Sequence, residues 1–322
     1  MEHLVQAPDY SGRLDLYRGE FKESGGGMAA TVYVQPDSDM AIIDVRGADP
    51  SSMQTATLHL WKPRHPKAEA HYGIAVLSES WKDSTDAGAS GKTFGSLAAI
   101  TADARDLHAE ADGSLAVRLS LRPKQDGSFR VFIAAPEWQG GDAIKRATKA
   151  LGGVADTIAA AHRRWWGDFW KRAGLMKMSS ADGSAEYLEN LRCIDLFTAA
   201  AESLGRFPGS QAGVGDLFSS ARDHHQWDPS AYWHWNLRMQ VAANLGAGLY
   251  RLNDSYFNLY RDNLQNIEKW TKTQMGGRPG ACVPETMRFN GKGYENETWH
   301  KSPGLDCSAK SKPYYNARTL IT

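Results

Sequence analysis

A chain of 322 residues with 42% apolar side chains is long enough for about two domains and able to bury a sizeable core, which excludes wholesale disorder. Lys+Arg and Asp+Glu each number 37, so nothing in the net charge draws the chain to nucleic acid or to a membrane surface, and neither is expected as a partner. No run approaches the roughly 18 apolar residues of a membrane span, and the opening MEHLVQAPDYSG lacks the apolar core of a signal peptide.

Residues 1–138 read as β. Runs rich in β-branched and aromatic residues recur at Thr31–Val34, Ala41–Val45, Thr57–Trp61, Gly73–Leu77, Ser114–Leu121 and Phe129–Ala134. Leu115, Val117, Leu119 and Leu121 alternate with polar neighbours, and Asp112-Gly113 and Asp126-Gly127 mark turns. An antiparallel sandwich is the expected outcome. One motif inside this region misleads. Gly91-Lys92-Thr93 has the end of a phosphate-binding loop, but Asp86 stands where that loop needs glycine, and Phe94–Thr101 reads as β rather than helix.

Near Gly140 the period changes. Leu151, Val154, Ile158, His162, Trp165, Trp166 and Phe169 recur at helical spacing, predicting one long helix from Asp142 to about Arg172. A second helix is predicted from Ala185 to Leu204, with Tyr187, Leu191, Ile194, Phe197 and Ala201 on one face and Gly205 as its stop. A third runs from Ser255 to Thr271, aligning Tyr256, Tyr260, Leu264 and Ile267. No β pattern interrupts the chain after Gly140, so a helical domain is expected. The stretch Gly205–Tyr232 lacks periodicity, and a connection of that length in a compact domain points to function.

Polar and aromatic residues interleave from His224 through Gln240. Two conformations fit. Extended backbone over Tyr232–Asn236 puts His234 and Asn236 on one face and Trp233 and Trp235 on the other. A helix beginning near Trp235 instead puts Asn236 and Gln240 on one face. Either way imidazole, amide and guanidinium groups converge beside indoles, an environment suited to a sugar, whose C–H face stacks while its hydroxyls hydrogen-bond. His224 and His225 are adjacent and diverge, with no HExxH motif and no cysteine pairing, so they are no metal motif. Cys193, Cys282 and Cys307 are too few and too scattered for a zinc site or a disulfide framework, and no metal or other cofactor is expected. Gly280–Gly291 reads as a loop carrying Glu285, with Arg288 three residues on as its partner.

These residues carry a resemblance. Leu204-Gly205-Arg206-Phe207-Pro208, then Gln211-Ala212-Gly213, then Tyr232-Trp233-His234-Trp235-Asn236-Leu237-Arg238-Met239 resemble, in that order, the opening of the catalytic barrel in glycoside hydrolase family 95. Gly12–Arg18 is similar to part of that family's sandwich. The resemblance implies an α+β multidomain chain: an incomplete N-terminal β super-sandwich over 1–138, a helical linker over 139–175, and the first part of an (α/α)6 six-hairpin toroid over 176–322. It implies an inverting, exo-acting α-L-fucosidase or α-L-galactosidase on an oligosaccharide or polysaccharide. Asn236 matches the second asparagine of the family's water-positioning motif, while His234 replaces the first, so both are expected to orient or activate water. The substrate-binding residues expected are Trp227, Trp233, Trp235, Arg238, Gln240, Glu285 and Arg288. The family's acid glutamate falls beyond residue 322, so this stretch alone is expected to be inactive. Secretion or a periplasmic location follows from the resemblance alone. A polysaccharide lyase or epimerase using His234 and Arg238, and a non-catalytic glycan-binding protein, are the competing expectations.

Overall fold

The computed structural model describes residues 2–60, 64–82, 93–152, 157–209, 231–274, 276–283 and 286–291. They fall into two compact units, the first spanning Met1–Lys82 and Thr93–Arg172, the second beginning at Ala173 after that break.

Ala75, Val76 and Leu77 are consecutive apolar residues, and all three are buried. A strand can bury neighbours on both sides only if both faces of its sheet are covered. That is the plan of the first unit. After a short helix α1 (Glu2–Val5) come β1 (Ser11–Asp15), β2 (Glu20–Gly25), β3 (Met28–Val34), β4 (Met40–Arg46), β5 (Gln54–His59), β6 (Lys67–His71) and β7 (Ile74–Lys82). Then follow β8 (Thr93–Asp103), β9 (Arg105–Ala111), β10 (Ala116–Arg122) and β11 (Phe129–Ala134). Eight strands form an antiparallel sheet in the order β1-β2-β3-β4-β11-β8-β7-β6, and β5-β10-β9 form a second sheet.

The second sheet covers one face: Val117 and Leu119 of β10 pack with Ala75, Leu77, Ile100 and Val131. Helix α2 (Ala143–Leu151) covers the other, setting Ala143, Ala147 and Leu151 against Ile42, Val76, Ala99 and Phe132. Its spacing of i, i+4, i+8 makes one apolar stripe. Asp142 starts the helix, its side chain accepting from the Lys145 amide at 2.9 Å. Asp142→Ala is therefore expected to destabilise this unit by about 1 kcal/mol and Asp142→Asn by far less, read as thermal unfolding midpoints. Equal midpoints for all three proteins would remove the cap from the account.

The single helix expected over 142–172 is two. Gly152 ends α2, where glycine lowers helix propensity, and α3 runs Ile158–Ala173. Trp166, Phe169 and Trp170 on α3 are buried. The Trp170 indole donates to the Leu16 carbonyl at 3.1 Å, and the Gln35 amide donates to the Ile158 carbonyl at 2.9 Å. His162 places Nε2 2.8 Å from the Arg18 carbonyl and 3.1 Å from that of Gly19. The Trp170 and His162 bonds seat α3 on the turn between β1 and β2, and the Gln35 bond ties its start to the end of β3. Arg163 pairs with the buried Glu20, which Lys22 also meets at 3.1 Å.

In the second unit α4 covers Ser184–Glu202. It buries Leu196, Ala199 and Ala200, whereas Tyr187, Leu191 and Ile194, expected to face a core, are exposed. Apolar residues surround this helix, so its period singles out no face. The helix expected over 255–271 is broken into α6 (Asp254–Arg261) and α7 (Leu264–Gln274). Asn263 causes the break: its side-chain amide donates to the carbonyls of Leu259 at 2.8 Å and Phe289 at 2.9 Å, taking a bond that a continuing helix would fill with backbone.

The expectation of no β structure after Gly140 is corrected as well. β12 (Ala231–Trp233) pairs antiparallel with β13 (Thr286–Arg288), so the segment Gly280–Gly291 read as a loop contains a strand. Tyr232 and Met287 face each other in this ladder and are both buried with Leu237, Tyr256, Leu259 and Ile267.

Candidate functional site

Helix α5 (His234–Gly246) begins directly after β12, so His234 is already helical. Successive helical residues turn by about 100°, and His234 and Asn236 therefore diverge by roughly 200°. The shared face that extended backbone would have provided is absent. The helix creates two other groupings. One holds His234 and Arg238, one turn apart. The other is the row Asn236, Gln240 and Asn244, which passes from exposed through partly buried to 1% exposed.

On the first face, His234 Nδ1 lies 2.5 Å from the Tyr256 hydroxyl, and the Tyr260 hydroxyl donates to that same oxygen at 3.3 Å. The imidazole and the Tyr256 ring stack with centroids 6.4 Å apart and planes at 29°. Burial, aided by the Arg238 charge, holds the imidazole pKa below its usual value, so the ring is neutral near pH 7.

On the second, the Asn244 amide donates to Asn253 Oδ1 at 2.9 Å, and the Asn253 amide donates to the Val241 carbonyl at 3.1 Å. Among the described residues Asn244 Oδ1 is buried without a partner. Ser203, Gln240, Asn244 and Tyr256 wall a cleft of about 10 Å³ whose remaining lining is mostly apolar. That volume suits one water, and the residues lining it include side chains that carry amide and hydroxyl groups. A sugar ring is far larger than this cleft, so the cleft by itself holds no sugar.

Of the other expected site residues, Arg288 is partly buried on β13, opposite Ala231 in the ladder and so beside the strand that feeds into His234. Trp233 ends β12 and Trp235 is the second residue of α5, while their side chains lie outside the described residues. Trp227 and Glu285, with His224, His225 and the segment 83–92, also lie outside them.

Three residues in or near this region were not singled out from the sequence. Tyr256 counted only as part of a core stripe. Asn244 extends the Asn236–Gln240 spacing by one more turn, a signal that was present in the sequence. Glu202 is the third, a lone carboxylate after Ala199-Ala200-Ala201 next to Ser203. Among the described residues its Oε2 is buried without a partner, and burial pushes its carboxyl up to about 7. Among the described residues no three His, Cys, Asp or Glu side chains gather to hold a metal ion, and no helix is long and apolar enough to cross a membrane.

No protein-family model matches the sequence, and no curated protein matches it either. Among solved structures, a protein described as a kojibiose phosphorylase from the human microbiome is similar at a TM-score of 0.53 and 11% identity, over 88% of this chain and 39% of that one. A bacterial glucoamylase in complex with acarbose matches 89% of this chain and 44% of its own, at a TM-score of 0.45 and 12% identity. A family 92 inverting mannosidase from Bacteroides thetaiotaomicron matches 55% of this chain and 25% of its own, at a TM-score of 0.39 and 8% identity. This chain thus spans 39% of the phosphorylase's length. At such identities the likeness concerns fold alone. With 88% of this chain matched, the likeness to the phosphorylase takes in both its antiparallel β part and its helical part.

Proposed function

We propose that this protein cleaves glycosidic bonds, as an inverting, exo-acting enzyme on α-L-fucosides or related α-L-galactosides. The observation that carries this reading is the one-water cleft at α5, lined by Gln240, Asn244, Ser203 and Tyr256 among others. Inversion requires a water held on the face of the sugar opposite the leaving oxygen. Neutral amides orient such a water without charging it, and an uncharged wall suits a neutral polyol. The fold likeness to a kojibiose phosphorylase supports a glycoside as substrate class. In this reading Asn236 sits at the exposed end of the amide row, and His234 contacts the sugar from the neighbouring face. Trp227, Trp233, Trp235, Arg238, Gln240, Glu285 and Arg288 are proposed as sugar contacts.

The test uses purified full-length protein with aryl α-L-fucoside, aryl α-L-galactoside and other aryl glycosides, with and without inorganic phosphate, following the anomeric configuration of the released sugar by NMR. Hydrolysis to the inverted anomer is expected, and Gln240→Ala is expected to lower kcat by about tenfold through loss of one hydrogen bond to the water. Phosphate-dependent cleavage would replace hydrolysis by phosphorolysis. A folded protein that cleaves none of these glycosides would end the proposal.

One observation favours a second reading. His234 and Arg238 occupy one helical face, which places an imidazole base beside a cation able to neutralise a uronate carboxylate. A polysaccharide lyase so built would release an unsaturated product absorbing in the ultraviolet.

A further inference from the structure

We infer that the cleft beside α5 holds one ordered water that donates a hydrogen to Asn244 Oδ1, and that Asn253 is the positioning residue that gives this water the amide oxygen of Asn244 and not its nitrogen. This deepens the proposed glycosidase reading and rests on it only for what the water does.

The orientation is set by a group that can only accept. The Val241 backbone carbonyl lies 3.1 Å from the Asn253 side chain, so Asn253 must present Nδ2 to it. Asn253 Oδ1 is then the end that lies 2.9 Å from Asn244, and Asn244 must meet that acceptor with its own Nδ2. No hydroxyl or ring nitrogen, whose role could reverse, takes part in this relay. Asn244 Oδ1 is thereby turned from Asn253. Both side chains are 1% exposed. Their frames are tied by backbone as well, since the Leu249 amide, at the head of the turn Tyr250–Asn253, donates to the Asn244 carbonyl at 2.9 Å.

Among the described residues Asn244 Oδ1 has no partner. Folded chains satisfy such buried oxygens with an internal water wherever a polar space admits one. Asn244 and Asn253 both line the cleft of about 10 Å³, which is room for a single water. No Asp, Glu, His, Lys or Arg lines it, so an ion would enter without a counter-charge, whereas a water enters neutral. The orientation matters for hydrolysis. A water that donates to an amide oxygen keeps a lone pair free to attack a sugar carbon, while an amide nitrogen in the same place would occupy that lone pair.

The experiment is a neutron crystal structure of the full-length protein, which tells amide oxygen from nitrogen and shows the hydrogens of water. One water donating to Asn244 Oδ1 is expected in wild type. Asn253→Asp keeps an acceptor facing Asn244 and is expected to keep that water. Asn253→Leu has similar size and no acceptor, and is expected to lose the water or to show the Asn244 amide reversed. On aryl α-L-fucoside Asn253→Leu is expected to lower kcat roughly tenfold with KM within about twofold, and Asn253→Asp to recover most of the loss. A wild-type cleft without water, or one facing Asn244 Nδ2, would overturn the inference whether or not the variants fold. Wild-type kcat in Asn253→Leu would overturn the role of Asn253. The expected water in a protein that cleaves no glycoside would uphold the site and count against the glycosidase reading alone.

Discussion

Gly19→Val is expected to lower the stability of the first unit by more than about 3 kcal/mol, and the melting temperature by roughly 6–12 °C for a chain of this size. Two separate costs meet at this position. Gly19 has φ +61°, where a branched side chain is strained. A Cβ there would also fall 2.1 Å from Trp166 Nε1. The indole has nowhere to retreat. Trp166 is 5% exposed and packs edge-on against both Trp165 and Phe169. Relieving the clash means lifting α3 from the turn that holds it through Trp170 and His162, which would also break those hydrogen bonds. Gly27→Ala is the matched control. Its φ is +79°, yet no atom lies within 4 Å of the added carbon, so backbone strain alone of about 1–2 kcal/mol is expected. Denaturant unfolding of the two variants separates the terms. Equal losses would show that the indole contact carries no energy.

Stability should also fall by about 2 kcal/mol as pH rises from about 4.5 to 7, because of Glu202. Its pKa is raised from 4.5 to about 7 by burial. Below about pH 4.5 the carboxyl is protonated in both folded and unfolded chains, and its full favourable contribution is present. Between 4.5 and 7 the unfolded chain releases the proton while the folded one keeps it, so stability declines. Above 7 the folded protein carries a poorly solvated carboxylate and the contribution is gone. The full shift would correspond to a larger figure, reduced here because the side chain keeps part of its surface in water. The space beside it is already taken: a Cβ on Gly209 would lie 2.4 Å from Glu202 Oε2. Glu202→Gln should flatten the pH profile between 5 and 8 and be more stable than wild type at pH 8. A wild-type profile parallel to that of Glu202→Gln would refute this account.

Much of the β unit was legible in the sequence. The runs at 31–34, 41–45, 73–77 and 129–134 fall on or within one residue of β3, β4, β7 and β11, because β-branched clusters between turn residues leave few alternatives. The start of helix near Asp142 was equally readable, from the change of period near Gly140. Other features depend on partners far away in sequence. Nothing local in Ser255–Thr271 announces a break, since Asn263 breaks the helix by reaching Phe289. The three-residue strands β12 and β13 exist only as a pair. At the site, the decisive fact was the residue at which α5 begins. Its start directly after Trp233 moved His234 away from Asn236 and toward Tyr256. Periodicity locates a helix end no better than a few residues, and here that margin decides which side chains meet.

The pairing of 231–233 with 286–288 also orders events in time. The ladder joins segments more than fifty positions apart, and the entropic cost of closing so long a loop is repaid only after much of the intervening chain has condensed. Helices α5, α6 and α7 lie between the two strands, so their collapse must come first and bring Met287 back to Tyr232. The orientation of the backbone entering α5 is thus acquired late in folding, and a nascent chain that has not yet emerged past residue 288 lacks it.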